Sequence, residues 1–236
     1  MKEIINWALQ QPFFDNPLSD ESRKNLKIKS PLYVNFQEND SKLYVITGEN
    51  ATGKSYFIKT ITAMSKQNNI KPYHMGMISR SSGLYDEGGE HFWSIVPEEV
   101  ASTGENSALL LLNGLEGIFK HDTKSVILLD EPTFGFSIGY QKVIADYIAN
   151  FSVNIPLHLQ GLIVCAHDYI LLSKLSEIPH NHLRFGDDRT LKQVLNEPYK
   201  YTIKDIKDLP SQAEKTRHQI AIVEDKIKKY NAKTKK

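Results

Sequence analysis

The stretch Leu43-Tyr44-Val45-Ile46-Thr47-Gly48-Glu49-Asn50-Ala51-Thr52-Gly53-Lys54-Ser55 decides how this chain is read. Leu43 to Thr47 is an apolar run of strand length, and Gly48 to Ser55 has the spacing Gly-x4-Gly-Lys-Ser. A helix-compatible segment, Lys54 to Gln67, follows. Strand, glycine-bounded loop and helix form the context in which such a loop binds phosphate. Glycine lets the backbone wrap so that successive N–H groups converge, and the helix N-terminus adds partial positive charge at the same point. On this reading Gly48, Glu49, Asn50, Ala51, Thr52, Gly53, Lys54, Ser55 and Tyr56 bind ATP. Lys54 faces the β- and γ-phosphates and contributes to catalysis, and the Ser55 hydroxyl ligates Mg²⁺. The alternative is an ordinary strand-to-helix turn.

Working outward, Ser125-Val126-Ile127-Leu128-Leu129-Asp130-Glu131-Pro132 is a buried-strand pattern ending in two adjacent acids. In open α/β folds ligands bind at the carboxyl edge of the sheet, where these acids fall. Asp130 is the candidate second Mg²⁺ ligand, and Glu131 the candidate base that polarises water for attack on the γ-phosphate. Elsewhere such a pair is only a solvated turn. Leu162-Ile163-Val164-Cys165-Ala166-His167 repeats the arrangement, with His167 as the first polar residue and a candidate partner of the γ-phosphate.

Around these motifs, strand-length runs alternate with helix-length segments, which predicts an α/β fold with a mainly parallel central sheet. Tyr73 to Ile78 is a further strand, while Leu32 to Phe36 and Leu183 to Phe185 are expected as edge or antiparallel strands. Further helices are expected at Asn106 to Phe119 and Tyr140 to Asn150. A break is expected at Leu209-Pro210. Beyond it Ile220, Val223, Ile227 and Tyr230 share one face of a C-terminal helix.

Taken together, GENATGKS, VILLDEP and the strand-terminal His167 resemble the ATP-binding cassette (ABC) ATPases, over roughly residues 30 to 190. The resemblance implies a P-loop NTPase head, with residues 1–206 as the ATPase domain and 207–236 as a C-terminal helix and basic tail. It also implies a signature loop, for which Ala101-Ser102-Thr103-Gly104-Glu105-Asn106-Ser107 is the candidate. Ser102 and Gly104 would contact the γ-phosphate held by a second copy, making the protein an ATP-dependent homodimer. Ser102 or Thr103 equally suits an N-terminal cap of the Leu-rich helix, and both roles are compatible. The interval from Gly48 to Ser102 is too short for a transporter's helical subdomain, no glutamine lies between Asn68 and Tyr140, and Ser137 stands where the family has an aspartate. The soluble repair, chromosome and anti-phage branch is therefore the nearer likeness. Phe13, Tyr33 and Phe36 are candidates for stacking on adenine, or else core aromatics.

The 236 residues suit one large domain, or one domain with an appendage, at ~100 to 200 residues per domain. With 40% hydrophobic and 24% charged residues the composition is that of an ordinary globular protein. Lys and Arg number 29 against 28 acids, so no global positive field favours nucleic acid, and any basic patch is local. Ser81 to Phe119 holds no Lys or Arg, whereas residues 200–236 carry eleven against five acids. No run reaches the ~20 apolar residues of a membrane span and no signal-peptide pattern is present, so a cytoplasmic location is expected. The single Cys165 lies in an apolar run and is expected to pack as a small hydrophobe. The expected activity is that of a soluble ABC-type ATPase switching a partner protein or nucleic-acid complex. The alternatives are a nucleotide-gated interaction module with little turnover and, less well supported, a transporter motor subunit.

Overall fold

The computed structural model describes residues 1–76, 84–85, 91–93, 103–119, 122–197 and 201–234. Helix α1 (Lys2–Leu9), strand β1 (Phe14–Asp15), helix α2 (Asp20–Leu26) and strand β2 (Leu32–Gln37) precede β3 (Leu43–Gly48), α3 (Lys54–Gln67) and β4 (Lys71–Met75). After β5 (Leu84–Tyr85) and β6 (His91–Trp93) come α4 (Thr103–Phe119), β7 (Ser125–Asp130), α5 (Ile138–Val153), β8 (Leu159–Cys165) and α6 (Tyr169–Ser176). Strand β9 (Asn181–Phe185), α7 (Leu191–Asn196) and α8 (Ile203–Thr234) complete the order. Strands β5 and β6 form a separate antiparallel pair. The other seven make one sheet in the order β1-β2-β9-β3-β8-β7-β4. The chain is thus α/β with a mostly parallel sheet and a C-terminal helix, the coarse architecture expected from sequence.

Two units are distinguished, one of Met1–Gln37, Thr47–Met64 and His182–Lys236, the other of Glu38–Ile46 and Ser65–Asn181. In the second unit β3, β8, β7 and β4 are all parallel. Leu43 pairs with Leu162, Ile127 with Leu162, and Tyr73 with Ile127. Leu43 to Ile46, Val126 to Leu129 and Leu162 to Ala166 are fully or almost fully buried, which is why these strands are unbroken apolar runs rather than alternating ones. Helix α5 buries Ile144, Ala145, Ile148 and Ala149, and α6 buries Leu171, Leu172 and Leu175, both at helical spacing. The Asp168 carboxylate caps α6 by accepting from the N–H groups of Ile170 (2.6 Å) and Leu171 (3.1 Å).

In the first unit β2 is antiparallel to β9, as Leu32 to Phe36 and Leu183 to Phe185 led one to expect. Neither is an edge strand, because the short β1 pairs parallel with β2 on its other side. The core of this unit is aromatic. Phe57 of α3 lies 5.3 Å from the Phe14 ring and 5.4 Å from that of Phe185, and all three are fully buried. Phe13 is buried too, its ring 5.1 Å from that of Tyr56, so it is a core aromatic and not one free to stack on adenine. Tyr33 is 41% exposed.

The expected break at Leu209-Pro210 does not occur, since α8 runs through Pro210. A reciprocal cap starts the helix well before the proline. The Thr202 N–H donates to the Asp205 carboxylate (2.8 Å), and the Asp205 N–H donates to the Thr202 hydroxyl (3.4 Å). Pro210 then removes only one helical hydrogen bond, on an exposed part of the helix.

Phe57→Ala empties the centre of the aromatic cluster and is expected to destabilise the protein by about 3 to 5 kcal/mol. Urea unfolding followed by circular dichroism measures it, and a loss under about 1 kcal/mol would contradict the assigned packing.

Candidate functional site

Strand β3 ends at Gly48, and the chain wraps through Glu49 to Gly53 before α3 begins at Lys54. Ala51 (φ 64°) and Gly53 (φ 103°) are left-handed, with Thr52 between them on the ordinary side. Such alternation turns successive N–H groups toward one concave side, the form of an anion-binding nest. Left-handed geometry is routine for Gly53 but costs alanine about 1 kcal/mol. At Gly53 a side chain would meet more than backbone strain, because a Cβ would lie 2.6 Å from a methyl of Leu32. The loop is closed internally by the Thr52 hydroxyl, which donates to the Glu49 carbonyl (2.7 Å).

Lys54 is only 8% exposed, and its ammonium donates to the carbonyls of Gly48 and Glu49, each at 2.7 Å. Its charge is thereby held inside the loop, at the first turn of α3. Ser55, next along, is exposed. Tyr56 donates its hydroxyl to the Glu224 carboxylate (3.3 Å), and burial together with that acid pushes the phenol well above its ordinary pKa.

The Glu49 side chain joins a network that was not foreseen from sequence. Arg184 of β9, 2% exposed, grips Asp187 through two bonds, Nε to Oδ1 at 2.7 Å and Nη2 to Oδ2 at 2.8 Å, and reaches Glu49 at 3.3 Å. Burial opposes the Arg184 charge, but the hydrogen bonds and charges of Asp187 and Glu49 outweigh it and raise the pKa. Arg189 adds contacts to Asp187 (3.3 Å) and Glu49 (3.7 Å). The available signal was an arginine inside the apolar run Leu183 to Phe185, followed by Gly186-Asp187-Asp188-Arg189.

In the second unit, β7 and β8 run parallel with Asp130 opposite Cys165, so their carboxyl ends share one edge of the sheet. Asp130 is the last residue of β7 and Glu131 the first beyond it. Glu131 is left-handed (φ 52°), its N–H donating to the Cys165 carbonyl (2.9 Å). Strain of this kind, worth about 1 to 3 kcal/mol, persists only where the surroundings enforce it. The carboxylate accepts from the His167 N–H (3.3 Å), and the His167 Nε2 lies 3.5 Å from its other oxygen. The structure therefore brings Asp130, Glu131 and His167 together at one edge. His74 of β4 was missed in the sequence. It is mostly buried, and burial lowers its pKa against the opposing pull of Asp130. Gly76 leaves room beside this pair, since a Cβ there would lie 3.4 Å from both the Asp130 Cβ and the His74 Nε2.

Ligand atoms of Asp130, Glu131 and Cys165 lie within 4.8 Å of one another. The two carboxylates are hard oxygen donors that suit Mg²⁺, whereas the buried thiol is soft and does not. The donor set thus fits a magnesium ion held by carboxylate oxygen. Of the candidate signature residues, Gly104 lies in the first turn of α4 and Ser102 lies outside the described residues. No protein-family model matches the chain, and no curated protein matches it.

Arg184→Met keeps the bulk but leaves the Asp187 and Glu49 carboxylates to the Arg189 guanidinium alone, and is expected to cost about 1 to 3 kcal/mol. The urea midpoint measures it. A midpoint unchanged from wild type would mean that the network adds nothing to stability.

Proposed function

We propose that the chain is an ATPase of the P-loop, ATP-binding cassette type, cytoplasmic and working as an ATP-dependent homodimer that switches a protein or nucleic-acid partner. The observation that carries this reading is the loop itself, in which left-handed Ala51 and Gly53 curl the backbone around a buried, carbonyl-held Lys54. A charge already placed in the loop needs less reorganisation to meet a phosphate than one free in solvent. Among the described residues no helix is long and apolar enough to cross a membrane.

In this mechanism the N–H groups of Gly48 to Ser55 bind the phosphates of ATP, and Lys54 neutralises charge on the β- and γ-oxygens. Ser55 and Asp130 would hold Mg²⁺. The ion, when bound, supplies positive charge to the phosphate oxygens. Glu131 accepts a proton from a water whose oxygen bonds to the γ-phosphorus. The bond from that phosphorus to the β–γ bridging oxygen breaks, and ADP leaves with the electron pair. His167 orients the Glu131 carboxylate and can donate to a γ-phosphate oxygen. Ser102 and Gly104 of a second copy would close the site over the γ-phosphate.

A nucleotide-gated module with little turnover is the second reading. It is favoured by the engagement of the Glu131 carboxylate with both the N–H and the imidazole of His167, which competes with water for the base.

Lys54→Ala is expected to abolish Mg-ATP binding in calorimetry, and undiminished affinity would count against the site. Glu131→Gln is expected to bind Mg-ATP while phosphate release slows by ~10²-fold or more. Light scattering should then show the Glu131→Gln protein accumulating as a dimer in Mg-ATP. A monomer with ATP bound would remove the two-copy mechanism, and a wild type that binds but never releases phosphate would favour the gated module.

A further inference from the structure

The C-terminal helix α8 is tied to the phosphate loop by the chain's own hydrogen bonds. The Thr216 hydroxyl donates to the carbonyl of Ala51 (3.1 Å), the left-handed residue of the loop. Two turns further on Val223 is 3% exposed, and Glu224 accepts from Tyr56 in the first turn of α3. Ala213, Thr216, Ile220, Val223 and Ile227 are the less exposed residues of this stretch, spaced three and four apart, so one face of α8 is seated while its flanks meet solvent.

We propose that Thr216 is a positioning residue of the nucleotide site, acting through the Ala51–Thr52 peptide; this rests on the nucleotide reading above and deepens it. In a planar trans peptide the carbonyl of one residue and the N–H of the next point in opposite directions. A hydroxyl that holds the Ala51 carbonyl on the α8 side therefore directs the Thr52 N–H to the opposite side of that peptide. Thr52 lies between the two left-handed residues, where converging N–H groups define the nest. Ala51 lacks the freedom of glycine, so its left-handed state needs support from its surroundings. The Thr216 bond, with the Val223 and Glu224 anchors keeping α8 in place, supplies the bias from a distant part of the chain. Thr216 touches no phosphate on this account. It lowers the cost of presenting the Thr52 N–H, and so sets nucleotide affinity.

The test is calorimetric titration of Mg-ATP into the full chain carrying Thr216→Val, Thr216→Ala or Thr216→Ser. Valine keeps the shape without the hydroxyl, and alanine, a better helix former, guards against a loss caused by helix unfolding. Serine restores the donor. Losing one hydrogen bond to the loop should weaken binding by about three- to tenfold in both the Val and Ala proteins, with Ser within about twofold of wild type. Wild-type affinity in the Val and Ala proteins would overturn the role of Thr216 while leaving the nucleotide reading in place. Equal loss in all three would reduce the contact to packing and also overturn it. A wild-type chain that binds no Mg-ATP would remove the nucleotide reading, and this role with it.

Discussion

The sheet core of the second unit imposes one requirement on everything around it. Strands covered on both faces cannot reach water, so each backbone N–H and C=O must be paired within the ladder. Leu43 to Ile46, Val126 to Leu129 and Leu162 to Cys165 meet this by parallel pairing, with Leu43 opposite Leu162 and Asp130 opposite Cys165. Apolar side chains are then the ones tolerated along these strands, and polar chemistry is driven to their ends. Asp130, Glu131 and His167 share an edge because the register aligns the ends of β7 and β8, the strands that precede them.

The loop after β3 faces a related difficulty in the first unit, since a lysine charge there is nearly buried. Two carbonyls at 2.7 Å satisfy Lys54, and the left-handed residues 51 and 53 curl the chain between those carbonyls and the lysine. Arg184 answers the same problem for a second buried charge. Its bidentate pairing with Asp187 and its reach to Glu49 tie β9 to the loop's second residue. Buried ion pairs of this kind contribute little net stability compared with apolar replacement of all the partners together. What they contribute here is placement, because Arg184, fixed by Asp187, holds the Glu49 side chain beside β9. Lys54, Thr52 and Arg184 thus converge on Glu49, two through its carbonyl and one through its side chain.

Local sequence determined the elements that answer to short-range pattern. The apolar runs at Leu43, Val126 and Leu162 became β3, β7 and β8, and Lys54 to Gln67 became α3 with those bounds. The loop and the acid-ended strand were legible because glycine spacing and adjacent carboxylates are contiguous in the chain. Pro210 misled as a helix breaker, since the Thr202–Asp205 cap upstream and the buried Val223 downstream outweigh one lost hydrogen bond. Strand β2 is antiparallel, one of the two expectations for it, and is not an edge because β1 pairs beside it, a two-residue strand that leaves no periodic signal.

Tertiary structure alone decided which distant residues complete each group. The hydroxyl of Thr216 reaches a carbonyl 165 positions earlier, and Arg184 reaches Glu49 across 135. No sequence period encodes such separations. They arise when β9 and α8 return to the first unit, closing loops whose entropic cost rises only slowly with length. His74 likewise comes near Asp130 only because β4 pairs with β7, a neighbour 54 residues away in the register Met75 to Leu129. Sequence by itself therefore determined the residue types and the element boundaries of the glycine-bounded loop and the acid-ended strand. Pairing of distant strands and seating of the last helix decided which arginine, histidine and threonine stand beside them.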